Sequence, residues 1–146
     1  MIMQRCLAAL FAVALVGVEA QAADDLEAFQ GTWNVLGGES HGQDIPDNEL
    51  PDGKLTFEKD HFEAIVGDDT FEGTFKLDAD RDPKTIDLAH EKGPHRDTTQ
   101  YGIYKFEDEK LIFCVAEPGK PENERPTEFR TRPDGNEMLL VFERDE

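Results

Sequence analysis

Four histidines, a single serine and a crowd of carboxylates are the side chains from which this 146-residue chain would have to build any chemistry. Asp78-Ala79-Asp80-Arg81-Asp82 alternates oxygen-bearing side chains in the manner of a calcium loop. The sixth position of such a loop needs Gly and holds Pro83, and the twelfth needs a bidentate Glu and holds Ala89. The segment therefore reads as a solvated hairpin turn. His41, His61, His90 and His95 contain no His-Glu-x-x-His pair, and Gly93-Pro94 lies between the last two, so they read as surface histidines and not as a zinc site. Ser40 is the sole serine and no Gly-x-Ser-x-Gly elbow surrounds it, which excludes serine-hydrolase chemistry. No glycine loop is shaped to cradle phosphate. The carboxylates are too numerous for spacing to single out a glycosidase pair. In Arg125-Pro126-Thr127-Glu128 a guanidinium is offered either to an anionic ligand group at a rim or to one of the acids beside it. No catalytic residue, metal site or cofactor is expected; a carboxylate-based active site is the remaining catalytic reading.

The chain divides early. Arg5 precedes an apolar run from Leu7 to Val18 that ends at Ala20-Gln21-Ala22. The run is too short for a bilayer span, and small residues flank the cut, so residues 1–22 read as a signal peptide cleaved after Ala22. Cys6 lies ahead of the apolar run, which argues against a lipid-modified cysteine at the cut. Residues 23–146 then form one exported domain, secreted or periplasmic, with no stable membrane insertion. Cleavage removes one base, Arg5, and one acid, Glu19, so the net charge stays at −18. Such a surface repels nucleic acid and anionic lipid. Its acids are scattered along the chain, which suits an acidic, soluble protein better than a single docking face. Cys114 is the one cysteine left, so no intramolecular disulfide forms. Its apolar neighbours Leu111-Ile112-Phe113 and Val115-Ala116 make it a buried structural thiol.

The elements that would position these residues are short and alternating. After a helical turn at residues 25–29, strands are expected near 31–39, 54–59, 61–66, 70–78, 84–89, 98–107, 110–116, 127–131 and 137–144. Phe71, Gly73, Phe75 and Leu77 share one face of their strand, and Leu55 with Phe57, Phe62 with Ala64 and Ile86 with Leu88 repeat that period of two. Lys59-Asp60, Gly67-Asp68-Asp69, Asp80-Arg81-Asp82-Pro83, Glu107-Asp108-Glu109 and Pro133-Asp134-Gly135-Asn136 supply tight turns. A meander of hairpins follows, and closure into an up-and-down antiparallel barrel of about eight strands removes its edges. Residues 40–53 form a polar insertion expected to serve as a lid, and residues 117–126 a second rim loop. Ile112, Leu139 and Val141 oppose Leu111, Phe113, Leu140 and Phe142, so the last strands are apolar on both faces. Their outer face requires a cover, either the 40–53 insertion or a second subunit of a homodimer.

Taken together, Leu26 through Trp33, Gly42 to Pro46, Gly73-Thr74-Phe75-Lys76-Leu77, Pro83 to Leu88, Gly102-Ile103-Tyr104, Leu111 to Cys114 and Arg125 to Phe129 resemble an uncharacterised lipocalin-like domain family of planctomycete bacteria. That resemblance covers nearly all of residues 23–146 and implies an exported calycin-type barrel without an assigned substrate. Gly31-Thr32-Trp33 is similar to the Gly-x-Trp signature of the first lipocalin strand, in which a basic residue of the last strand crosses the indole. Arg144 is placed to do so, in a cation–π contact worth about 0.5–2 kcal/mol. Full lipocalins also pack a helix beside the barrel and carry disulfides; neither is expected here, which argues against transport of a large lipophile.

A barrel of this kind would bind a small apolar molecule or a peptide at its mouth, among inward residues Val35, Phe57, Phe75, Ile86, Tyr101 and Phe113, with Arg125 at the rim. The alternative is a cell-envelope interaction or structural module whose barrel is filled solid. Eight strands leave an interior only just wide enough for their own side chains, and nine phenylalanines remain after cleavage to fill it.

Overall fold

The computed structural model describes residues 24–50 and 52–145; the signal-peptide reading of residues 1–22 lies outside the described residues. A short helix, α1, covers residues 24–29. It is followed by β1 (Gly31–Ser40), β2 (Gln43–Asp44), β3 (Gly53–Glu58), β4 (His61–Val66), β5 (Asp69–Asp78), β6 (Thr85–Lys92), β7 (Thr98–Glu107), β8 (Lys110–Val115) and β9 (Met138–Arg144). Every pairing is antiparallel and joins neighbours in sequence, apart from β1 with β3 and the closing pair β1–β9. The product is a closed eight-stranded up-and-down barrel in which β2 is a two-residue extension on the outer end of β1. Among the described residues no helix is long and apolar enough to cross a membrane.

Alternation drives the closure. Each strand gives one apolar face inward, and a closed ring leaves no strand edge unpaired. Closure runs the length of β1, from Trp33 opposite Arg144 to Ser40 opposite Met138, with a bulge between Val35 and Gly37. The bulge turns Leu36 outward, where it is exposed. A second irregularity lies between Glu72 and Gly73 on β5. A Cβ on Gly73 would stand 1.8 Å from the Ala89 carbonyl oxygen, so only glycine permits β5 and β6 to approach this closely.

One end of the barrel is sealed by α1. Phe29 enters from below and is wholly buried, with ring centroids 5.0 Å from Phe57, 5.0 Å from Tyr104, 5.3 Å from Phe106 and 5.8 Å from Phe75. The entry is fixed by polar contacts at both ends of the helix. Near its start, buried Asp25 accepts hydrogen bonds from Lys84 Nζ (2.9 Å) and the Tyr104 hydroxyl (2.8 Å) through the same oxygen, Oδ2. Burial, then this bond, holds the Tyr104 phenol well above its usual range. Past its end, Arg144 donates to the carbonyls of Ala28 and Gln30, both at 2.7 Å, while its guanidinium lies 4.3 Å from the Trp33 ring centroid. Trp33 Nε1 donates to the Phe29 carbonyl at 2.9 Å. Gly31, Trp33 and Arg144 thus make one seam joining helix, first strand and last strand. At Gly31 the backbone takes φ +111°, and a Cβ would meet the Arg144 guanidinium at 3.0 Å.

The segment expected as a strand at 127–131 is not one. The ring is already complete with eight strands, so no edge is free to accept it. Instead the excursion from residue 116 to 137 lies against the outside of the barrel. Glu39 Oε1 accepts from the Thr131 amide (2.9 Å) and hydroxyl (2.8 Å), Phe129 lies 4.6 Å from Lys105 Nζ, and the Cys114 thiol faces the Arg130 carbonyl at 3.5 Å. Ile112, Leu139 and Val141 are half-buried. The excursion passes over the same outer face, with Arg130 at Cys114 and Thr131 at Glu39. Cys114 is fully buried, and burial pushes its thiol up to about 11.

Candidate functional site

At the end opposite α1 the barrel interior is not filled. A cavity of about 450 Å³ opens there, lined by Val35 from β1, Leu55 from β3, Ala64 from β4, Phe71 from β5 and inward residues of the remaining strands. Leu88, Phe113 and Phe142 belong both to its wall and to the packed core. The lining is largely apolar because the strands turn alternate, mostly apolar side chains inward towards the mouth. Among the described residues nothing equivalent to Phe29 enters from this side. The rim is made by His95 of the 93–97 turn, Pro118 of the 117–126 loop and Met138 at the start of β9.

Polar groups are few, and they converge. On β6 the alternation Ile86, Leu88, His90 carries the last of these inward, and His90 is 6 % exposed. Its Nε2 lies 3.0 Å from Oε1 of Gln100, which also lines the cavity. The Gln100 amide has a fixed sense, since its Nε2 donates to the Ala116 carbonyl at 2.9 Å. Oε1 is therefore the atom turned to the imidazole, and His90 Nε2 must carry the proton. Nδ1 is then a bare acceptor, and it is buried without a hydrogen-bond partner. The ring sits edge-on to Phe62 at 5.3 Å, and His95 stacks on Phe71 at 5.4 Å with its own ring 5.8 Å from His90. Burial lowers the pKa of His90, the Gln100 bond opposes that shift, and the nearby His95 adds to it. The imidazole is accordingly neutral at pH 7.

The sequence-derived residues divide into three groups. Val35 and Phe113 line the cavity. Phe57, Phe75 and Ile86 are inward but lie in the packed core. Tyr101 and Arg125 correct the expectation, for both lie outside the barrel. On β7 it is Gln100, Gly102 and Tyr104 that alternate inward, so Tyr101 has the opposite phase. Arg125 lies 5.0 Å from the Tyr101 ring and donates to the carbonyls of Ile86 and Gly102 and to Asp87 Oδ1 (2.6 Å). Its donors are spent on the fold, as the reading of a structural pairing with nearby acids anticipates. His90 is the residue that sequence reasoning placed on the surface and the fold places inside. The signal was present in the Ile86-x-Leu88-x-His90 alternation, which the histidine extends by one step.

Of the 40–53 insertion, expected as a lid, Gly53 stands at the cavity wall, while its turn is tied to the outer excursion, the Gly42 amide donating to Thr131 Oγ1 at 2.8 Å. A second depression, about 640 Å³, runs past Glu58, Lys59, Glu63, Glu72 and Lys92. Its charged lining on the outer face suits solvent better than an apolar ligand. Among the described residues no group of three or more His, Cys, Asp or Glu side chains is arranged to hold a metal ion. No protein-family model matches this sequence, and no curated protein matches it.

Proposed function

We propose that this protein is an exported, noncatalytic lipocalin-like binding domain that takes a small, largely apolar molecule into the open end of its barrel. The observation that carries the reading is the cavity of about 450 Å³, lined by residues of all eight strands of a closed ring and apolar on every strand but β7, which contributes Gln100. Its size lies in the range of small-molecule sites, roughly 300–1,000 Å³. A barrel serving only as a solid structural module would be expected to fill this end as it fills the other. The lipocalin likeness is supported by closure of β1 on β9 and by Arg144 lying across Trp33 at that seam. Export is supported by the charged, apolar and small-residue order of positions 1–22.

Native mass spectrometry of protein purified from its own host tests the binding reading. A retained adduct, or a rise in melting temperature with members of a lipophile set, is the expected result. Repeated absence of added mass together with no thermal shift overturns it. N-terminal sequencing of the same preparation is expected to begin at Ala23, and an intact Met1 would overturn export by cleavage.

A further inference from the structure

Building on the reading of the open end as a ligand cavity, we infer that its occupant is polar at one end only, and lies with its hydrocarbon end on the cavity floor and its polar end in the mouth beside the 93–97 turn. Polar groups are spread unevenly around the lining. Among the described residues, the inward polar side chains come from one sector: His90 at the end of the inward series of β6, Gln100 on β7, and His95 in the turn between these strands. That sector stands at the mouth. His90 lies opposite Thr98, the first residue of β7, and the Gln100 amide donates to the carbonyl of Ala116, just past the end of β8. His95 is exposed, and its turn is tied back to β6 by the Asp97 amide, which donates to the His90 carbonyl at 2.8 Å. Lys54 also borders the cavity, but it has the outward phase between Gly53 and Leu55, and its ammonium is held 2.9 Å from Asp145 Oδ2.

The floor has the opposite character. Leu55, Phe62, Phe113 and Phe142 belong both to the cavity lining and to the buried core, and their side chains present only carbon. A hydroxyl carried down to them gives up its water and gains no partner, whereas one left in the mouth stays hydrated. An alkyl end makes the reverse choice, since its gain is the apolar surface it removes from water. The site therefore selects molecules with a single polar end and rejects those polar at both. At roughly 30 Å³ per water-sized group, about 450 Å³ holds on the order of ten to fifteen non-hydrogen atoms.

Two probes of matched length test this: 1-decanol and 1,10-decanediol, titrated calorimetrically into wild-type protein stripped of retained lipophile. Decanol is expected to bind on the order of tenfold to a hundredfold more tightly than the diol, whose second hydroxyl must be buried on the floor. In the decanol complex, nuclear Overhauser contacts should join the terminal methyl to the Phe113 and Phe142 rings, and the carbinol protons to His95 and Met138. Neither readout needs a variant to fold. A diol bound as tightly as decanol, or carbinol protons found against Phe113, overturns the one-ended assignment and leaves the cavity reading standing. Failure of both probes to bind removes both.

Discussion

Both ends of the barrel are built from the same eight strands with the same inward alternation, yet one end is a solid cluster of rings and the other is hollow. At the sealed end Phe29 arrives from outside the sheet and gathers Phe57, Phe75, Tyr104 and Phe106 around it. Among the described residues no corresponding side chain enters the other end, where the polar pair His90–Gln100 lies instead. The difference teaches that eight strands alone do not decide whether such a barrel is filled. A single inserted aromatic does, provided its helix is held by a buried acid and a guanidinium.

Removing that insertion should give the largest effect. Phe29→Ala is expected to lose about 3–5 kcal/mol of unfolding free energy in urea titrations, because the rings around it cannot collapse into the space. The matched truncation at the open end, Leu140→Ala, should cost about 1–2 kcal/mol, since its half-buried side chain already faces a cavity. Equal losses at both ends would erase the contrast.

The polar ties of the plug come next. Tyr104→Phe deprives buried Asp25 of one of its two donors and should cost about 1–2 kcal/mol with an unchanged m-value. Arg144→Lys keeps the charge but cannot span both the Ala28 and Gln30 carbonyls, and about 1 kcal/mol should be lost. At the open end, Ala64→Phe should fill the void left by the strands and change stability by under about 1 kcal/mol. It should abolish the thermal shift given by 1-decanol, which separates filling from folding.

The smallest expected effects are those of pH, and they belong to the open end. His90 has a folded pKa below its ordinary 6.5, so its contribution to stability is present above pH 6.5 and is lost as pH falls from there towards the folded value. The other titratable groups bordering the cavity are His95 and Lys54. His90→Phe should remove the slope of unfolding free energy between pH 7.5 and 5, and persistence of that slope would assign it elsewhere. Glu137, just before β9, is lowered to about 2, chiefly by its bond with Arg132. Its contribution is complete above pH 4.5 and disappears as pH falls towards 2, so Glu137→Gln should flatten the acid limb alone.

Much of the architecture was legible before folding. Alternation in Phe71-x-Gly73-x-Phe75-x-Leu77 and the turn residues between runs placed the eight barrel strands, with β6 continuing to Lys92 where the expectation stopped at Ala89. The segment 127–131 was misread because strand-like composition does not reveal that the ring is already closed. Tyr101 was misread for a different reason. Its strand has aromatic residues on both phases, and only the pairing of Gln100 with His90 and of Tyr104 with Asp25 shows which phase turns inward.

The sequence by itself determined the hairpin order and the inward identity of most apolar side chains, because these depend on local periodicity and turn chemistry, while the seam residues Trp33 and Arg144 were expected from the lipocalin resemblance. Tertiary structure alone decided which half of the interior is empty, that His90 rather than Arg125 meets that space, and that Thr131 and Arg130 close over the outer face. Emptiness is a property of volumes summed over eight strands and one helix, and a lone acceptor is defined by partners distant along the chain. Neither quantity is carried by any short run of residues.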